Sequence, residues 1–192
     1  SKLGKISGKV VCDGVGVANV LVQAKLGSRV AASARTDAGG NFTIRFLAAG
    51  VYRITARKTG YAEGSVSGIR LEEGEELSGV VVELERGGAI VGRVLDEAGQ
   101  PVSGALIYAW LYRGKRVART FKTATDEQGR FRLDNLPQGN YRLRATAKGY
   151  LNERHYEDTT VSADQESEVN FMLQKGASIS GIITDEAGNP VA

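Results

Sequence analysis

The chain is poor in the side chains on which most protein catalysis depends. Of its 192 residues, one is a histidine, His155, and one is a cysteine, Cys12. A hydroxyl activated by imidazole would have to be built on His155. Its neighbours Glu153, Arg154, Tyr156, Glu157 and Asp158 mark a solvated strand, so His155 reads as a surface residue and no catalytic residue is assigned. A lone thiol makes neither an intrachain disulfide nor a cysteine metal cluster. Cys12 starts a turn and reads as a small apolar residue at a strand end. The pairs Asp96-Glu97, Asp126-Glu127 and Asp185-Glu186 are the candidates for calcium. That ion takes roughly six to eight oxygens, and Asp in such turns is better suited to bonding its own backbone. No metal site and no cofactor is therefore expected.

Two other groups have binding chemistry. In Ala105–Tyr112, residues Ala105, Ile107, Ala109 and Leu111 share one face of a predicted strand, so Tyr108, Trp110 and Tyr112 share the other. Same-face neighbours on a strand stand about 6.5–7 Å apart. The three rings form a row suited to a sugar or to a partner protein. The competing readings are that a loop or the neighbouring unit covers the row, or that the register shifts and Trp110 enters the core. The corresponding strand in the first half carries Leu21, Gln23 and Lys25, so the row is confined to the second half. The other group is Arg130, Arg132, Arg142 and Arg144, expected to point outward from adjacent strands as one patch. Guanidinium recognises carboxylate and phosphate, which makes the four a candidate anion patch. A solvated sheet face, balanced by Asp134, is the alternative.

The elements that must position these groups come in duplicate. Gly50–Tyr61 returns as Gly139–Tyr150, and Ile90–Val102 returns as Ile179–Val191, each 89 residues further on (139 − 50 and 179 − 90). Solenoid repeats have periods of roughly 20–50 residues, so this spacing implies whole domains in tandem. Residues 1–86 and 87–174 are predicted to be two units, and 175–192 the first strand of a third. Turn residues recur along each unit and no stretch keeps a helical period, which argues for antiparallel sandwiches. Alternation turns Phe131, Leu133, Tyr141, Leu143, Ala145 and Ala147 inward. In the first unit it turns Phe42, Ile44, Phe46, Tyr52, Ile54 and Ala56 inward and Thr43, Arg45, Arg53, Thr55 and Arg57 outward. Gly50 and Gly139 follow tight turns and are expected at positive φ. The linkers Arg86-Gly87-Gly88 and Lys175-Gly176 are too short for independent tumbling, so neighbouring units are expected to pack end to end as a semi-rigid rod.

The run from Gly92 to Ala105, with its Gly-x-Val-x-Asp-x-x-Gly-x-Pro-Val-x-Gly-Ala pattern, resembles the carboxypeptidase regulatory-like domain. So do Thr125-Asp126 with Gly129 and Phe131, Leu136-Pro137-x-Gly139-x-Tyr141, and Gly149-Tyr150. The first copy departs at Val15-Gly16-Val17, where the proline is missing, and at Leu47-Ala48-Ala49. The resemblance implies an all-β fold of tandem seven-stranded antiparallel Greek-key β-sandwiches, prealbumin-like and Ig-like. It also implies a module that accompanies carboxypeptidases, outer-membrane receptors, glycan-degrading enzymes and long cell-surface proteins, and that is usually non-catalytic. Related adhesin repeats join a first-strand Lys to a last-strand Asn beside a buried acid. Here Asn170 lies in the last strand of the second unit, but the first strand offers Arg93 and no Lys, Ala145 stands where the acid belongs, and in the first unit Lys5 and Lys9 are present but Gly79–Leu84 has no Asn.

The expected function is a non-catalytic spacer or stalk in a larger exported protein, located extracellularly, at the cell surface or in the periplasm. A carbohydrate-binding accessory module built on Tyr108, Trp110 and Tyr112 is the alternative. Neighbouring repeats are expected as partners, with protein or glycan at the cell surface. A net charge of +3, with acids spread throughout, gives no concentrated basic face for nucleic acid. No apolar run approaches the roughly 18 residues of a membrane span. The N-terminus shows no signal peptide, and any export signal is expected upstream in a longer protein. The apolar opening strand of the third copy is expected to add to another chain's sheet edge and give head-to-tail association.

Overall fold

The computed structural model describes residues 2–151 and 156–177. His155, the Asp185-Glu186 turn and the apolar strand of the third copy lie outside the described residues. Every strand or helix assigned among the described residues is a strand, and no helix is long and apolar enough to cross a membrane.

The first half contains β1 (Gly4–Cys12), β2 (Val15–Gly16), β3 (Leu21–Leu26), β4 (Arg29–Arg35), β5 (Asn41–Leu47), β6 (Gly50–Arg57), β7 (Tyr61–Ala62), β8 (Gly64–Leu71), β9 (Glu76–Glu83) and β10 (Glu85–Arg86). One sheet runs β4-β3-β6-β8, and the other places β1 between β5 and β9, with β2 as a short hairpin partner. The second half repeats the plan with β11 (Gly88–Asp96), β12 (Leu106–Arg113), β13 (Arg116–Ala124), β14 (Arg130–Leu136), β15 (Gly139–Thr146), β16 (Glu157–Val161), β17 (Glu166–Glu168) and β18 (Phe171–Leu173). Its sheets are β13-β12-β15-β16 and β14-β11-β17, with β18 continuing along β11. Each half has its own core. One gathers around Ile6, Ile44, Tyr52 and Ile54, the other around Ile90, Ile107, Tyr141 and Leu143. The closing strands β9 and β17–β18 run parallel to β1 and β11, while the other pairings are antiparallel. This is a tandem pair of Greek-key sandwiches, as expected, with one parallel seam in each.

The shared motifs have shared physical tasks. The buried hydroxyl of Thr125 donates to the Val102 carbonyl at 2.6 Å and accepts the Ala105 N–H at 2.9 Å. Thr36 does the same between Val17 and Val20. Tyr141 donates its hydroxyl to the Pro137 carbonyl, and Tyr52 to that of Ala48, both at 2.8 Å. The acceptor is backbone, which explains why Leu47-Ala48-Ala49 can replace the Leu-Pro turn. A side chain on Gly92 would strike the Val169 carbonyl and the Phe131 ring; one on Gly8 would strike the Val80 carbonyl and the Phe42 ring. The glycine of the opening motif is thus where the closing strand presses against the central one.

Three expectations need correction. Phe46 is not inward. It is 79% exposed with φ at +62°, while the next residue, Leu47, is buried. Pairing steps from Gly4↔Leu47 to Lys5↔Arg45, so Phe46 sits in a β-bulge that breaks the alternation. Thr55 is buried although it faces outward, because β6 is central and its cross-strand neighbours Gln23 and Ser65 flank it on both sides. Positive φ occurs at Gly139 (+143°) but not at Gly50; Gly60 and Gly149 both take +85°.

Candidate functional site

Tyr108, Trp110 and Tyr112 emerge half-buried on the outer face of β12, with Ile107, Ala109 and Leu111 buried beneath them. The register is unshifted, and Trp110 is not in the core. Tyr108 and Trp110 stand nearly parallel, 9° apart with centroids at 6.0 Å, so the strand spacing itself stacks them. Tyr156 leans on Trp110 at 6.1 Å and 59°. Arg142, opposite Trp110 on β15, places its guanidinium 6.0 Å from the Tyr112 ring and 5.8 Å from the Tyr156 ring. Two bonds to Asp158, at 2.8 and 2.9 Å, hold that guanidinium in place. The bonds raise the Arg142 pKa and hold the Asp158 carboxyl below the usual carboxylate range. The result is a ladder of stacked rings and a guanidinium along the outer face of the sheet. At its end a groove of about 620 Å³ is lined by Tyr112, Lys115, Asn140, Arg142, Asp158 and Thr160.

The four arginines do not form one patch. β14 and β15 are consecutive in the chain but belong to different sheets. Arg130 and Arg132 therefore lie on one outer face of the sandwich, and Arg142 and Arg144 on the other. Two of them are also neutralised. Arg132 bonds Asp134 at 2.7 Å and Glu166 at 2.6 Å, and Arg142 is held by Asp158. Arg130 lines a separate groove of about 1020 Å³ along the outer face of β11, beside Val91, Leu95 and Met172.

The acidic turns are occupied from within. Asp126 Oδ1 accepts the N–H groups of Gln128 and Arg130, and Asp37 Oδ1 those of Gly39 and Asn41. Asp96 is buried at its side chain. Its Oδ1 accepts from Ala98 and Gln100, and its Oδ2 meets Lys175 Nζ at 2.9 Å. The Lys175 bond, then the backbone donors, hold the Asp96 carboxyl below its ordinary range. Among the described residues no cluster of three or more His, Cys, Asp or Glu is placed to hold a metal ion. Asn170 spends its amide on the Arg93 N–H, 2.9 Å, and on Glu168, 2.8 Å.

The most constructed feature lies where the halves meet, around the short linker Arg86-Gly87-Gly88 that the sequence marked, together with Asn135, Arg119 and Asp164, which it did not. β10 pairs with β7, and only Gly87 separates β10 from β11. Gly87 donates to the Gly60 carbonyl at 3.0 Å and accepts the Asp164 N–H at 2.9 Å. Asn135 Oδ1 accepts the Gly60 N–H at 2.7 Å. Arg119 reaches the Glu63 carbonyl at 3.4 Å, and Arg86 lies 4.9 Å over the Tyr61 ring. Asn135 occupies the second-half bulge, at φ +57°, where the first half has Phe46. The signal for both bulges was present: Ile44 and Leu47, like Leu133 and Leu136, are spaced by three inside a strand whose period is two.

The family model for the carboxypeptidase regulatory-like domain matches residues 5–85 and again 89–174. No curated protein matches the chain. Among solved structures it is similar to the Bacillus anthracis TIE protein, with 17% identity and a TM-score of 0.43, covering 100% of this chain and 41% of that one. It is also similar to a streptococcal ancillary pilin, with 17% identity and a TM-score of 0.42, covering 93% and 64% respectively. A third is GBS52, the minor pilin of Streptococcus agalactiae, with 16% identity and a TM-score of 0.40, covering 94% and 99%. The chain thus spans less than two thirds of the first two proteins.

Proposed function

Because the chain belongs to the carboxypeptidase regulatory-like domain family, with two matches in tandem, we propose that it acts as a non-catalytic structural module, a semi-rigid spacer or stalk in a larger exported protein. The units are residues 1–86 and 87–174, with 175–192 opening a third. The observation that carries this reading is the joint. A flexible spacer leaves its backbone to solvent, whereas Gly87 is hydrogen-bonded to Gly60 on one side and to Asp164 on the other. The joint fixes the direction in which one unit projects the next, so the mechanism is geometric. Small-angle scattering on the monomer tests it. One inter-unit orientation should fit the curve; a broad ensemble of angles would sink the reading. We place the module outside the cytoplasm, as the family resemblance implies; fractionation with protease shaving of intact cells tests the location.

A second reading, a carbohydrate-binding accessory module, is favoured by the groove at the end of the aromatic row. Tyr112 offers a ring face there, and Asn140, Asp158 and Thr160 offer polar partners, the combination that sugar recognition uses. Trp110 is the only tryptophan, so its emission reports directly. Oligosaccharides that shift it, and lose binding on Tyr112→Ala, support this reading; arrays without a hit oppose it.

A further inference from the structure

A groove of about 660 Å³ runs between the two sandwiches. Arg35, Arg57 and Lys58 of the first half and Arg119 of the second line it, with Glu63 as the one carboxylate among the described residues. Four cations against one acid leave a charge of +3 (4 − 1). Strand register gathers them. Leu21 on β3 pairs with Arg35 of β4 on one side and with Arg57 of β6 on the other, so both arginines share the outer face of the sheet. Two strand spacings put their Cα atoms roughly 10 Å apart, within reach of two guanidinium forks around one small anion. Lys58 follows at the end of β6, and β13 brings Arg119 across the joint. The bonding sets this groove apart. Lys5, Arg86, Arg132 and Arg142 each meet an acid. In the groove only Arg57 does, bonding Glu63. Lys58 Nζ donates to the Ala18 carbonyl at 2.7 Å. Arg35 donates to Asn19 Oδ1 at 3.1 Å, and Arg119 to the Glu63 carbonyl at 3.4 Å. Neutral oxygens hold these three side chains without cancelling their charge. Arg35 and Arg119 each engage one terminal nitrogen and keep further N–H donors to offer.

We propose that this groove binds a phosphate-bearing ligand at the joint. A carboxylate carries a single charge on two oxygens. A phosphate monoester carries about −1.5 to −2 and three acceptor oxygens, which suits cations that arrive from β4, from the end of β6 and from the second sandwich. Guanidinium meets phosphate oxygens two at a time, and donors already held in place lose little freedom on binding. Glu63 opposes the ligand, because it neutralises Arg57 and puts a like charge in the groove. A ligand held by Arg35 and Arg119 together touches both halves, so occupancy also braces the joint. The site goes beyond the spacer reading, and only its Arg119 contact depends on that reading.

Calorimetric titration of the full chain with inorganic pyrophosphate at low ionic strength tests it. One site per chain should saturate, with affinity falling as salt rises. Arg35→Gln and Arg119→Gln should each weaken binding about tenfold or more, since each removes a charge-assisted bond, while circular dichroism shows both halves folded. Glu63→Gln should strengthen binding, an effect that a merely structural role for Glu63 does not produce. Either source of the phosphate supports the proposal: long-chain polyphosphate bound more tightly per site than pyrophosphate marks a polymer, and equal affinity marks a small solute. Absence of saturable binding, wild-type affinity in Arg35→Gln, or equal affinity for the tricarboxylate citrate overturns the proposal. Scattering from the unliganded monomer judges the spacer reading separately. One inter-unit orientation in a chain that binds no pyrophosphate sinks this proposal alone; a broad ensemble that still binds pyrophosphate through Arg35 sinks the spacer alone.

Discussion

Asn135 Oδ1 accepts the backbone N–H of Gly60 at 2.7 Å, across 75 residues of sequence and from one sandwich to the other. The bond requires a bulge that aims Asn135 outward and a turn that leaves Gly60 at φ +85°. Neither feature belongs to a core. Both belong to the ends of units, at the joint between the two sandwiches.

The joint should therefore be sensitive to a single methyl group. In Gly87→Ala the new Cβ would stand 3.0–3.1 Å from the Asn135 backbone and 3.3 Å from the Ala62 nitrogen. Neighbouring backbone yields poorly, so the halves should separate or swing. Scattering should then need more than one orientation, with both cores still folded by circular dichroism.

Removing the Thr125 hydroxyl should destabilise the second half. Thr125→Val keeps the shape but leaves the Val102 carbonyl and the Ala105 N–H unpaired in a buried place. An unsatisfied buried group costs about 1–3 kcal/mol. The denaturation midpoint should fall with little change in its slope. Thr36→Val should do the same to the first half.

Phe46→Gly should stabilise the first half. Phe46 gains little from burial and holds φ +62°, a conformation costing a non-glycine residue roughly 1–3 kcal/mol. Glycine removes most of that strain while adding unfolded-state entropy, so the expected net gain is about 1 kcal/mol or less. A loss of stability in chemical denaturation would show that the ring packs better than its exposure indicates.

The Asp96–Lys175 pair sets a pH window. The folded-state pKa of Asp96 is depressed, chiefly by Lys175. Its contribution is present above the unfolded carboxyl value, near ~3.9, and is lost as pH falls through the lower folded value. Lys175 is raised by Asp96. Its contribution is complete below the unfolded amine value of about 10.4 and is lost as pH rises through the folded one. Asp96→Asn should flatten both limbs of the second half's stability profile, measured by denaturation from acid to alkaline pH. An unchanged profile would show that the pair is uncoupled from folding.

Much of the fold was legible because its cause is local. Alternation in Phe131-Arg132-Leu133 and Tyr141-Arg142-Leu143 follows from the pleat, and Asp126 caps its turn within four residues of itself. The aromatic row followed from the same period of two. The arginine patch failed for a reason outside the reach of periodicity. Arg132 and Arg142 are ten residues apart in sequence, but the turn between them carries the chain from one sheet to the other. Phe46 failed because a bulge inserts one residue, and one residue reverses every face beyond it.

What the sequence alone determined is the repeat, the two all-β units, the inward faces of regular strands and the turns that separate them. These follow from propensities and spacings that act over a few residues and are written twice. What only the tertiary structure decided is which strands share a sheet, the parallel seam that closes each sandwich, the Gly60–Asn135 bond at the joint and the exposure of Phe46. Each of these depends on groups far apart in the chain being brought together, and pairing across such distances is chosen by packing of the whole, not by any local pattern.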